Sequence, residues 1–252
     1  MGFFKDFLIN FSRMLLGFVF VSSLTIFLIS LVVLDFTEKD NMLPLLKGVF
    51  STAISRVDNA TLENLKRDIR MSCTEKTHYD AFGYQINVGC DELDQTLNFS
   101  DLVSSKIAES IYYSAGDCNF IVCIESNPTY TITYGFRNHF ANIKNISLAV
   151  CIISAALILV MGKGDLLSRL IGIVLMMVVV CLPVLFVDFL VSNLQNKMTG
   201  NMDLVYPIVE NFVAIFKQRF IPVLIFSVIF LIALIIFKVL IKKNQKTGLV
   251  SI

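Results

Sequence analysis

The chain has 252 residues, of which 56% are hydrophobic and only 16% charged, and its mean hydropathy is +0.73. Soluble domains run at about 45–50% apolar and about 25% charged, so this excess calls for an apolar solvent and excludes disorder, collagen and coiled coil. The net charge of +1 argues against a nucleic-acid partner, which needs a basic face to neutralise phosphates.

Residues 1–13 form a predicted cytoplasmic N-terminus carrying Lys5 and Arg13. The uncharged run Met14–Leu34 is the first predicted transmembrane helix, because a hydrocarbon core about 30 Å thick takes roughly 17–25 apolar helical residues to cross. It is longer than the ~7–15 residues of a signal peptide's apolar region, with no small-x-small site before Asp35, so it is expected to be retained.

Residues 35–145 then make a predicted extracytoplasmic α+β domain of about 110 residues, enough for a separate fold but marginal for a core. Leu46, Val49, Phe50, Ala53, Ile54 and Val57 recur at helical spacing, with Pro44 placed to start the helix. A second helix is predicted over 60–71, capped by Asp58 or Asn59, with Leu62, Leu65 and Ile69 as its apolar stripe. Tyr84, Ile86 and Val88 alternate as in a strand. Asp91-Glu92-Leu93-Asp94 lacks the glycine and terminal Glu of a calcium loop and fits a solvated acidic turn. A third helix is predicted over 102–113, with Val103, Ile107 and Ile111 on one side. Two further strands, Phe120–Glu125 and Tyr130–Phe136, flank the turn signal Ser126-Asn127-Pro128-Thr129 and predict a hairpin. Asn59-Ala60-Thr61 and Asn98-Phe99-Ser100 match the glycosylation acceptor pattern.

Four cysteines fall in this domain: Cys73, Cys90, Cys118 and Cys123. An even count on an oxidising side predicts two disulfides, each worth about 2–4 kcal/mol. If 117–124 is extended, Cys118 and Cys123 lie about 16 Å apart at ~3.3 Å per residue, beyond the ~7 Å reach of a bridge. With all four pairing among themselves, that excludes 118–123 and its companion 73–90. Two pairings stay open: 73–118 with 90–123, or 73–123 with 90–118. A zinc site from Cys73, His78, Cys118 and Cys123 is the weaker use of these residues, since structural zinc uses tighter cysteine spacing.

The second transmembrane helix is predicted at 146–162, followed by a cytoplasmic turn at 163–169 and the third helix at 170–187. Ser147, Cys151 and Ala155 repeat every fourth residue, a row of small side chains that lets another helix approach closely. Pro183 is expected to kink the third helix near its end. Residues 188–219 form an extracytoplasmic loop whose stretch 204–220 is amphipathic and predicted to lie on the membrane surface, or to cover the outer domain, before it turns into the fourth span. The fourth helix is predicted at 220–241, and 242–252 is a basic cytoplasmic tail.

Orientation follows from Lys and Arg, which stay on the cytoplasmic side. Lys5, Arg13, Lys163, Arg169, Lys238, Lys242, Lys243 and Lys246 then face only Asp6 and Asp165, whereas 35–145 holds ten Lys/Arg and fifteen Asp/Glu. Both termini are therefore expected inside, with the protein in the plasma membrane. Asp35 and Asp188, at the outer ends of the first and third helices, are candidate pore-mouth or interface acids.

No catalytic motif, metal-ligand set or cofactor site stands out: the chain has two histidines, no phosphate-cradling glycine loop and no nucleophile elbow. In topology, four spans with a large cross-linked first outer loop are similar to claudin-type tetraspan proteins, although their Trp-containing loop signature is missing from a chain without Trp. The expected role is that of a non-enzymatic tetraspan whose outer domain binds a membrane-protein partner or assembles with its own copies. The alternatives are a subunit of an oligomeric channel or transporter, and an ABC-type permease subunit.

Overall fold

The computed structural model describes residues 2–73, 76, 78–95, 98–114, 133–161, 165–197 and 206–248. It is mainly helical with a small two-stranded sheet. The chain divides into two units, one comprising Met1–Val32, Asn142–Met198 and Val213–Ile252, the other Val33–Ala141 and Thr199–Phe212.

The first unit contains most of four helices long and apolar enough to cross a membrane, with candidate spans Asn10–Phe36, Tyr134–Met161, Leu166–Asn193 and Ile208–Lys242. Its burial pattern is the reverse of a water-soluble fold. Phe18, Val160 and Phe226 are 71%, 76% and 67% exposed, while Ser23, Ser147 and Ser154 are buried. Large exposed apolar surfaces need a non-aqueous neighbour, and lipid provides one. Several buried hydroxyls satisfy themselves on their own helices: Ser23 donates to the Phe20 carbonyl at 3.0 Å and Ser154 to the Cys151 carbonyl at 3.0 Å, whereas the buried Ser227 Oγ has no partner among the described residues. This is the arrangement of an integral membrane protein.

Helix α1 runs Gly2–Phe36, longer at both ends than the predicted 14–34. In the second unit, α2 (Lys39–Ile54) follows after two residues. Pro44 lies inside α2 rather than at its first position. Glu38 already takes the N-cap place, its carbonyl accepting from Met42 N at 2.8 Å, so the proline removes one later backbone bond. Helix α3 (Asn59–Ser72) has Asp58 at its N-cap position, without a side-chain capping bond. Strands β1 (His78–Ala81) and β2 (Tyr84–Asn87) pair antiparallel, with His78 opposite Asn87 and Ala81 opposite Tyr84. The two-residue connection has positive φ at both positions, 54° at Phe82 and 81° at Gly83, as a type I′ hairpin turn requires. Short α4 (Cys90–Gln95) and α5 (Phe99–Tyr113) complete this part.

Alternation places Tyr79, Ala81, Ile86 and Val88 on one face of the hairpin, where they join Ile54, Ile69, Leu93, Val103, Ile107 and Ile111 in a buried core. Leu62 and Leu65 of the predicted α3 stripe pack against it. A second cluster, Met42 and Leu46 of α2 with Ala108 and Tyr112 of α5, holds those two helices together. The Tyr112 hydroxyl donates to the Thr37 carbonyl at 3.0 Å.

The cysteine pairing differs from both expected alternatives. Cys73 bonds to Cys90 with Cα atoms 5.4 Å apart. Antiparallel β1 and β2 return the chain to its starting level, which brings the residues flanking the hairpin together. Excluding 73–90 depended both on an extended 117–124 and on all four cysteines pairing among themselves, and the observed bond means that these two premises do not hold together. Cys118 and Cys123 lie outside the described residues, as do the predicted strand Phe120–Glu125, the turn 126–129 and the first three residues of the Tyr130–Phe136 run.

Tyr134 and Phe136 are helical rather than extended: α6 spans Tyr134–Met161, beginning well before the predicted residue 146. Thr133 starts it by accepting from Phe136 N at 3.4 Å, and the Phe136 ring lies tilted against Phe140 one turn later, centroids 4.7 Å apart. Helix α7 (Leu166–Cys181) gives way to a 3₁₀ segment, Leu182–Phe186, and then α8 (Val187–Lys197). The change to 3₁₀ comes at Pro183, because proline cannot donate to the α-helical ladder. Helix α9 runs unbroken from Tyr206 to Gly248. The predicted turn between an amphipathic segment and a span starting at 220 is therefore not formed; nothing before Pro222 interrupts the ladder, and Phe216 stacks on Phe220 at 4.2 Å.

Candidate functional site

The second unit carries an open cleft of about 690 Å³ lined by parts of the hairpin, α4 and α5. Because Tyr79 and Ile86 face the core, the alternate positions His78, Gln85 and Asn87 line the cleft. From α5 come Lys106, Glu109, Ser110 and Tyr113, spaced so that they share one helical face. Val103, Ile107 and Ile111 turn the other way into the core.

Lys106 is the cleft's electrostatic centre. Its Nζ lies 2.7 Å from Glu92 Oε1 and 3.9 Å from Glu109 Oε2. Glu92 also accepts from Gly89 N at 3.1 Å. The hydrogen bond from Lys106, with that from Gly89, holds the Glu92 carboxyl below its ordinary range. Glu92 is therefore ionised at neutral pH and neutralised by Lys106. At the rim, the Lys39 ammonium sits 5.6 Å from the Tyr113 ring centroid, and its hydrogen bond to the Tyr113 hydroxyl raises its pKa.

The Asp91–Asp94 run is helical, in α4, and its carboxylates are solvent-exposed, but two of them are paired. Besides Glu92, Asp94 pairs with Arg70 of α3 at 2.9 Å, while Leu93 is buried. The Cys73–Cys90 bridge ties the end of α3 to the start of α4, so one wall of the cleft is covalently fixed. Cys73 has its sulfur in that bond and offers no thiolate, and no group of three or more His, Cys, Asp or Glu among the described residues could hold a metal ion. Asn98 caps α5, its Oδ1 accepting from Ser100 N at 3.2 Å and its Nδ2 donating to Asp101 at 3.3 Å.

The remaining sequence-selected residues lie elsewhere. The Asp35 carbonyl accepts from Asn41 Nδ2 at 2.8 Å. The Asp188 carboxylate, in the first turn of α8, pairs with Lys217 of α9. In the membrane-spanning unit, Ser147 and Cys151 are buried and Ala155 is half-buried. Ser147 lines a groove together with Ser22 and Ser23 of α1. This small-residue row thus faces α1 within the same chain.

Sequence inspection weighed His78 as a zinc ligand and Glu92 within an acidic turn, but singled out none of the α5 residues that line the cleft. The signal available was the spacing of Lys106, Glu109, Ser110 and Tyr113 along α5, which marks one polar face opposite the apolar stripe.

No family model, curated protein or solved structure matches this chain.

Proposed function

We propose that this integral membrane protein is a non-enzymatic tetraspan whose extramembrane unit recognises a polar partner through the Lys106 cleft. The partner is another membrane protein or a second copy of the chain. The observation that carries this reading is the cleft itself. It is braced by a disulfide and lined by amide, hydroxyl and charged groups rather than the mainly apolar lining of small-molecule pockets. Its charges suit binding more than proton transfer, since Glu92 is held ionised against Lys106 and a general base needs a pKa near the working pH.

A binding role is also favoured over conduction by the membrane-spanning helices. Asp188 is paired with Lys217, and the buried Ser23, Ser30 and Ser154 donate to carbonyls of their own helix. Ion paths use charged or polar groups aimed at the permeant. In this proposal the extramembrane unit faces outward across the plasma membrane and both termini lie in the cytoplasm.

The test is photo-crosslinking in native membranes with a photoreactive residue at Ser110, inside the cleft, against a control at exposed Thr61. A discrete adduct is expected from Ser110 only. A mass near twice 28.3 kDa identifies self-assembly, and another discrete mass identifies a partner. Equal adducts from both positions, or none from Ser110 together with ion flux through reconstituted liposomes, would overturn the proposal.

A further inference from the structure

A second cavity lies wholly within the membrane-spanning unit, where the start of α1, the end of α6 and the start of α7 meet. It has a volume of about 210 Å³ and is lined by Arg13, Gly17, Met161, Arg169, Gly172 and Met176, among others. The last carbonyls of α6 explain why two arginines converge there, since a helix C-terminus leaves its final carbonyls without partners and carries partial negative charge. Arg13 Nε donates to the Met161 carbonyl at 2.7 Å, and Arg169 Nη1 donates to the carbonyls of Leu159 and, at 3.2 Å, Val160.

These contacts leave the Arg13 guanidinium only partly met. A guanidinium has five N–H donors, and Arg13 Nη1 is buried with no hydrogen-bond partner. Among the described residues no carboxylate lines the cavity. Asp165, four residues before Arg169, accepts from Ser168 and lies 3.9 Å from Lys238. Two cations therefore border a small space whose other walls include Leu16, Ile158 and Met176. The space would hold about seven water molecules at ~30 Å³ each; water could accept from Arg13 Nη1 but brings no negative charge to it. Glycine keeps the space open: a Cβ at Gly172 would meet nothing within 4 Å.

We propose that this cavity binds a phosphate group, held by the guanidinium groups of Arg13 and Arg169. Guanidinium forks match phosphate oxygens. A basic pocket between helix ends at the membrane surface is placed to take the headgroup of an anionic phospholipid, with the apolar walls beside its glycerol and first methylenes. The same chemistry would hold free phosphate. This proposal depends neither on the Lys106 cleft nor on which side of the membrane the helix ends face.

The experiment measures thermal unfolding of the full-length protein in a neutral detergent, titrated with phosphatidylglycerol, phosphatidylcholine or inorganic phosphate. Phosphatidylglycerol is expected to raise the unfolding temperature as its concentration passes its Kd, and phosphatidylcholine to do so less. Arg13→Gln and Arg169→Gln should each weaken phosphatidylglycerol binding by roughly ten-fold or more. Gly172→Val should do the same by filling the cavity with both arginines in place, and it decides the matter if an arginine variant does not fold. Stabilisation by inorganic phosphate equal to that by the lipid supports the site and identifies a free anion as its ligand. Equal response to both lipids, no response to any anion, or undiminished binding by Gly172→Val would overturn the proposal.

Discussion

At Phe82 the backbone adopts a left-handed conformation, with φ 54°, ahead of Gly83 at 81°. For a residue with a Cβ this region costs roughly 1–2 kcal/mol, and hairpin turns of this type favour Asn-Gly or Asp-Gly. The Phe82 ring is 44% exposed, so little packing offsets the cost. Phe82→Asn is therefore expected to stabilise the protein by roughly 0.5–1 kcal/mol, read as an unfolding temperature higher by a few degrees in detergent. A lower temperature would mean that the ring contributes more than its exposure indicates. The same residue explains why the hairpin was hard to find. A phenylalanine in the turn hides the signal, and the β1 segment His78-Tyr79-Asp80-Ala81 has only two apolar residues in alternation. The β2 positions Tyr84, Ile86 and Val88 were legible because their alternation is longer and more apolar.

Among the elements, the hairpin and its disulfide act as one device. A single two-stranded hairpin is marginal in water, and here the bond between Cys73 and Cys90 closes the segment at its open end, across a sequence separation of 17. Closing a loop of that size is worth about 3 kcal/mol. Cys73→Ser with Cys90→Ser should lose about that much stability and speed proteolysis between residues 76 and 89, while retaining the membrane-spanning helices. Unchanged cleavage would show that core packing of Tyr79 and Ile86 alone holds the hairpin. The pairing was misjudged because it follows from β1 pairing with β2, and strand partnership is not written in cysteine spacing. Helix boundaries show a related limit. The apolar runs located all four candidate spans, since composition alone sets that signal. The extension of α6 back to Tyr134 was missed because its start depends on the Thr133 cap and the Phe136–Phe140 contact, which give the polar residues before 146 a helical partner.

For the whole molecule, the two units differ in where their polar groups go. In the membrane-spanning unit Ser23, Ser147 and Ser154 are buried while Phe18 and Phe226 are exposed, whereas the second unit buries Ile69, Ile86 and Val103 and places Lys106, Glu92 and His78 at a cleft. A chain partitioned in this way has one orientation question left, and the proposed answer rests on the charge excess around Lys238–Lys246 and the acidic balance of 35–145. Cysteine chemistry can decide it. Cys73 and Cys90 are bonded to each other, while Cys151 and Cys181 are free and buried in the membrane-spanning unit. A membrane-impermeant maleimide added to intact cells should label Cys73 and Cys90, located by peptide mapping, only after treatment with an impermeant reductant. Cys151 and Cys181 should stay unlabelled in both conditions. Labelling of Cys73 and Cys90 only after the cells are permeabilised would place that unit in the cytoplasm and reverse the proposed topology; labelling without reductant would mean the bond does not form in the cell.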